Sequence, residues 1–268
     1  MRLFLRTVAG RAYPRLIGQQ RDKCAVLLDV CLPLLAVSSY VFVYRAIGAP
    51  EEFVGFVILG GAMTAFWLNV LWAMANQFFW ERESGNLALY IMAPTSLVAI
   101  LLGMALGGMV ATTVRATVLL AAGGLLFGVR FSVSNRPLLV LVFVLTLVAL
   151  YGLGMMLSSL FLLLGREGWH LIGLAQEPLY LVSGMYFPIR SLNVFVAIGA
   201  SLIPLTLGLD AIRQLAFTTG PASGFIGVRA ECAILAVLGV AFVSLAYLLL
   251  AYMERLAIGE GKLTESRG

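Results

Sequence analysis

Six stretches of the chain, about residues 24–47, 53–79, 97–128, 137–164, 170–187 and 229–252, are apolar almost from end to end. A helix needs about 20 mostly apolar residues to cross the hydrocarbon core of a bilayer. No water reaches backbone amides there, so the bonds must close inside each segment, as they do in a helix. Over the whole chain 61% of residues are hydrophobic and 12% charged, against roughly 45–50% and 25% in soluble domains. Lipid must solvate that surplus. The expected fold is an all-α polytopic membrane protein of about six transmembrane helices, and its 268 residues leave no room for a separate soluble domain.

The net charge of +5 suits nucleic acid only until its placement is considered. Arg2, Arg6, Arg11, Arg15, Arg21 and Lys23 all precede the first apolar run. A basic cluster beside a span sets orientation and touches anionic lipid headgroups, so no nucleic-acid partner is expected. With the N-terminus inside, the cytoplasmic parts hold those six charges plus Arg82, Arg166, Arg255, Lys262 and Arg267, which makes 11, against 6 outside (Arg45, Arg130, Arg136, Arg190, Arg213, Arg229). Both termini are therefore expected in the cytoplasm of a cell whose inner membrane the chain crosses. Residues 1–23 read as an amphipathic interface segment with Leu5, Val8, Ala12 and Leu16 on one face and a kink or break at Pro14. Residues 24–253 read as the transmembrane domain and 254–268 as a cytoplasmic tail. Cys24, Cys31 and Cys232 lack metal-ligand spacing and read as inert thiols.

The stretch 188–228 is apolar in part, but Gly199 and Pro204 interrupt it. Two short re-entrant or surface helices on the outer side are expected there, between spans five and six. Irregular backbone at such depth is tolerated where protein or a wet cavity covers it. Span three exceeds what a bilayer needs, and tilt or a break at Gly123-Gly124 would absorb the excess. Gly103-x-x-x-Gly107 and Gly124-x-x-x-Gly128 match the spacing that lets helices approach closely.

Enzyme chemistry lacks its parts. His170 is the single histidine, and near Gly261-Lys262 a Leu stands at 263 where a phosphate loop needs Ser or Thr. No catalytic residue, metal site or cofactor is therefore expected on this chain. The informative segment joins spans two and three: Glu81-Arg82-Glu83-Ser84-Gly85-Asn86-Leu87, then Pro94-Thr95-Ser96. It is densely charged, then amphipathic, and ends on a proline at the next span.

Together with Ser183-Gly184-Met185-Tyr186-Phe187-Pro188 and Pro204-Leu-Thr-Leu-Gly-Leu-Asp210-Ala-Ile-Arg213, this segment resembles the ABC-2 family of exporter permeases, which includes drug-resistance, nodulation-factor and polysaccharide exporters. Ile203 replaces that family's usual Asn before the proline, and Asn86 its usual Thr. The resemblance implies a dimer of this or a similar permease, with ATP-Mg bound and hydrolysed by separate nucleotide-binding subunits. It implies a coupling helix within Glu81–Ser96 (Glu81, Arg82, Glu83, Gly85, Pro94), and a path lined by spans two and five. Candidate path residues are Phe66, Trp67, Asn69 and Glu177, whose character, with Trp72, suits amphipathic, lipid-like or drug-like cargo, or a glycan or glycolipid. Ser183, Gly184, Pro188, Pro204, Asp210 and Arg213 mark the outer re-entrant region.

Charges inside spans cost a few kcal/mol by insertion scales. Glu177 reads equally as a structural partner or a path contact, and Asp29 as structural. Arg115, toward the outer end of span three, is expected to match neither carboxylate in depth and to snorkel outward. Asp210 and Arg213, three apart on a helix, are candidates to pair. A secondary transporter or channel with no ATPase is the rival reading; it calls for paired mid-membrane carboxylates and inverted repeats, and no repeat is visible.

Overall fold

The computed structural model describes residues 2–21, 23–93, 95–129, 131–164, 176, 180, 182–217 and 224–260. In chain order its helices are α1 (Arg2–Arg21), α2 (Lys23–Ala46), α3 (Glu52–Leu68), a π-helical segment (Asn69–Ala75), α4 (Gln77–Glu83), α5 (Leu87–Met92), α6 (Leu97–Phe127) and α7 (Arg136–Leu164). A 3₁₀ turn (Ile189–Ser191) then leads to α8 (Val194–Ala200), α9 (Pro204–Ala216) and α10 (Val228–Glu260). Five stretches are long and apolar enough to cross a membrane: Val26–Ala46, Glu52–Glu83, Leu97–Phe127, Arg136–Leu160 and Val228–Met253. They coincide with expected spans one to four and six. The expected fifth span, 170–187, lies largely outside the described residues. The fold is an all-α polytopic membrane protein.

Span two is the axis of the bundle. Its most apolar window is 89% buried, whereas that of the first span is 11% buried and that of the last 22%. Lipid tails are as apolar as leucine, so helix association here depends on close packing rather than on escape from water. Glycines supply the clearance. A Cβ on Gly154 of α7 would lie 2.8 Å from Val70, and one on Gly123 of α6 2.9 Å from Ile58. Phe66 meets Phe143 edge to face at 5.7 Å. The first and last spans instead expose Leu28, Leu32, Leu35, Val237, Val240 and Leu248, as helices facing lipid do.

One expectation is corrected, and two others lose one of their alternatives. Pro14 does not divide α1, which is helical throughout Arg2–Arg21. Its proposed apolar face is also split, because Val8 is buried against α6 while Leu5 stays 60% exposed. The seam that decides this is Gly103-x-x-x-Gly107. A Cβ on Gly103 would sit 2.5 Å from the Val8 carbonyl oxygen, and one on Gly107 2.6 Å from that of Ala12. Finally, α6 runs unbroken past Gly123-Gly124 and stops at Gly128, whose φ of 71° ends the helix. The Val129 amide closes that end on the Gly124 carbonyl (3.1 Å). At its other end the first turns of α6 run against α1.

At the opposite end α8 and α9 meet at a bend of 105°. Pro204 opens α9 at its first turn, where its missing N–H costs nothing. The extended Ile203 before it gives no side-chain cap; instead its carbonyl accepts from Thr206 N at 3.0 Å. From Pro204 to Ile212 α9 is buried throughout, so it is embedded in protein rather than laid on a surface. Gly208 permits this by facing Thr146 of α7. By contrast, α8 exposes Val194, Phe195 and Ile198.

Candidate functional site

The charged segment between spans two and three folds as an elbow. Span two loosens into the π-helical turn at Asn69–Ala75, regains α geometry in α4 and ends at Gly85. There the Gly85 amide bonds the Arg82 carbonyl (3.0 Å) and the Asn86 amide reaches the Glu81 carbonyl (2.9 Å). This is the paired closure of a helix ending on a left-handed residue, and φ of 74° at Gly85 is why glycine stands there. After α5, Ser96 accepts from the Ala99 amide (3.3 Å) and caps α6. Pro94 lies outside the described residues.

The elbow is clasped by α1. Arg11 donates to Glu81 Oε1 (3.3 Å) and to the Tyr90 hydroxyl, with its guanidinium 4.4 Å from the Tyr90 ring centre. Arg15 donates to Gln77 Oε1 (3.2 Å) and to the Ala73 carbonyl (3.0 Å), in the π-helical turn. Thr95 donates to Thr7 (3.0 Å). Burial raises the Tyr90 phenol pKa, against the lowering effect of Arg11, so the ring stays protonated at neutral pH. Burial also lowers the Arg15 pKa from its ordinary value, partly offset by Tyr151 and Glu81.

The two glutamates thus part company. Glu81 also accepts from Gln77 (2.9 Å) and Asn86 (3.2 Å), and its side chain is only 13% exposed. Glu83 is exposed, and so are Trp80 (50%), Leu89 (59%) and Met92 (74%) elsewhere on α4 and α5. Arg82 is half-buried.

Inside the bundle, Phe66 and Trp67 are buried within the protomer, and Asn69 accepts from the Tyr151 hydroxyl at 3.0 Å. Trp72 donates to Gln176 Oε1 (2.7 Å). Glu177 lies outside the described residues. The expectation for Arg115 is overturned: its guanidinium pairs with Asp29 at 2.5 Å. The mismatch in depth disappears because the first turns of α6 are spent alongside α1, which brings Arg115 level with the second turn of α2.

At the far end Arg213 is 1% exposed and does not pair with Asp210. It donates to the carbonyls of Gly184 (2.5 Å), Met185 (2.6 Å) and Phe56 (2.9 Å), with the Phe56 ring 3.2 Å away. Asp210 accepts from the Phe225 amide (2.9 Å) and Gln214 (3.3 Å) instead. Gly184 holds φ at 70°, Ser183 is buried, and Pro188 precedes the 3₁₀ turn. Tyr44 donates to the Tyr186 carbonyl (2.9 Å), tying span one to the same turn.

Residues 15–217 match the ABC-2 type transporter family. The chain belongs to that family. A comparison with curated proteins finds no match. As an ABC-2 protein it is the membrane-embedded permease component of an ABC transporter, a component that is generally not catalytic. The matched range takes in the elbow and the Arg213 cluster, together with the last third of α1, from Arg15 on. Within this ABC-2 chain, the residues that sequence reasoning overlooked are Arg11, Arg15 and Tyr90. The signal was present in part, since Arg11 and Arg15 stand four apart on one helical face.

Proposed function

We propose that this permease works as a dimer, with a copy of itself or a similar chain, and moves an amphipathic, lipid-like, drug-like or glycan-bearing substrate outward. Two separate ATPase subunits bind and hydrolyse the ATP-Mg. The α4–α5 elbow is the element they grip, with the α1 end of the bundle in the cytoplasm of a cell whose inner membrane the protein crosses. The observation that carries this reading is the build of the elbow. It is bonded into α1 through Glu81 and Tyr90, while Trp80, Glu83, Leu89 and Met92 stay exposed and available to a partner.

Apolar anchors beside a charge are what a protein groove binds. A push on the elbow reaches span two directly through α4, and α6 begins just beyond the elbow at the Ser96 cap. Leu89→Asp/Met92→Asp, which alters only exposed side chains, should leave the permease inserted and dimeric but reduce co-purified ATPase by about tenfold or more. Normal assembly and cargo-responsive hydrolysis in that variant would sink the assignment.

A further inference from the structure

A second feature lies outside the elbow and does not depend on the reading just given. A cavity of about 510 Å³ opens beside span one, just inside the bundle from α1, and Gly18 of α1 lies at its edge. Its polar wall carries Asp29, Arg115, Asn69 and Trp72, and its apolar wall includes Leu28 and Leu32. The Arg115 side chain is 17% exposed and that of Asp29 47%.

Two opposite charges thus line a chamber whose wall also includes Leu28 and Leu32, side chains that span one leaves exposed. Among the described residues neither is fully used. Arg115 has five N–H donors and meets Asp29 through one nitrogen, and a carboxylate accepts about four bonds. An ion pair left half open to hydrocarbon is costly. The cost falls if an occupant brings a negative group to Arg115 and a positive one to Asp29. Phosphate suits the guanidinium fork, and an ammonium suits the exposed carboxylate. The indole of Trp72 lines the same cavity, and such rings favour the boundary between headgroup and chain. The exposed Leu28, Leu32 and Leu35 run along span one as a track for an acyl chain.

We propose that this cavity is a binding site for a zwitterionic amphiphile, with its phosphate on Arg115 and its ammonium on Asp29, entering sideways from the leaflet on the α1 side. A resident bilayer phospholipid and a zwitterionic cargo share this chemistry.

The test is native mass spectrometry of the purified permease complex, delipidated and then offered phosphatidylethanolamine, phosphatidylglycerol or diacylglycerol of matched chains. The wild type should retain phosphatidylethanolamine about tenfold over the other two. Asp29→Asn should abolish the preference over phosphatidylglycerol while binding persists. Arg115→Gln should lose both phospholipids, and Arg115→Lys should restore part of the binding if the Gln variant folds poorly. Adding ATP separates the sources: depletion of the bound molecule marks cargo, and unchanged occupancy marks a resident lipid, with either outcome upholding the site. Equal retention of all three lipids by the wild type, or unchanged headgroup preference in Asp29→Asn, would overturn it and leave a purely structural ion pair.

Discussion

Arg213 is the residue whose loss should matter most to folding, and the structure gives the size of the effect. Its guanidinium joins three pieces distant in sequence: span two at Phe56, the turn at Gly184 and Met185, and α9 itself. Arg213→Met keeps much of the stem volume and removes the donors. Three buried carbonyls then lose a partner, at about 1–3 kcal/mol each. Removing a buried charge returns part of this by abolishing its desolvation cost, so the net loss should be about 3–5 kcal/mol. For a chain of this size that is a fall on the order of 10 °C in Tm. The assay is thermal unfolding of the purified permease in one detergent, followed by size-exclusion recovery after heating. Arg213→Lys keeps the charge but has one ammonium for three acceptors, and should recover less than half of the loss. A Met variant within about 2 °C of wild type would refute the reasoning, because it would mean that these carbonyls need no partner.

Two other substitutions probe the elbow and its clasp. Gly107→Leu should push α1 off α6, since even a Cβ there lies 2.6 Å from the Ala12 carbonyl; a disulfide formed between cysteines at Arg11 and Glu81 should drop several-fold, and an unchanged yield would contradict the packing. Gly85→Ala has open space for its methyl but a φ of 74° to hold, so a cost of about 1–2 kcal/mol is expected, read as slower ATP hydrolysis by the assembled complex at equal expression.

Much of this molecule could be read from the chain. Apolar runs of span length placed the ends of five expected spans to within a few residues. In the sequence Gly85 is only a member of the charged motif, and the structure adds why glycine stands there, at a φ of 74° that few residues tolerate. What the sequence hid were relations between elements. Whether Gly103 and Gly107 met another helix depended on where α1 came to lie, and nothing local encodes that. Arg115 was misjudged for the same reason, since its depth was counted from Leu97 as if α6 began at the membrane edge. Asp210 and Arg213 have the spacing of a helical pair, yet buried carbonyls outcompete a neighbouring carboxylate for a guanidinium that can satisfy three of them. In Glu81 and Glu83 two residues alike in sequence face opposite ways, because the helix turns about 200° between them.

The central claim is that this chain is a permease driven by ATP bound elsewhere. It is tested most directly by measuring ATP hydrolysis and transport with the purified chain in proteoliposomes, with and without any ATPase subunit isolated with it from its native source. The chain alone should hydrolyse no ATP and move no cargo, and adding the subunit should start both together. Hydrolysis by the isolated chain, or ATP-independent uphill transport, would contradict the account.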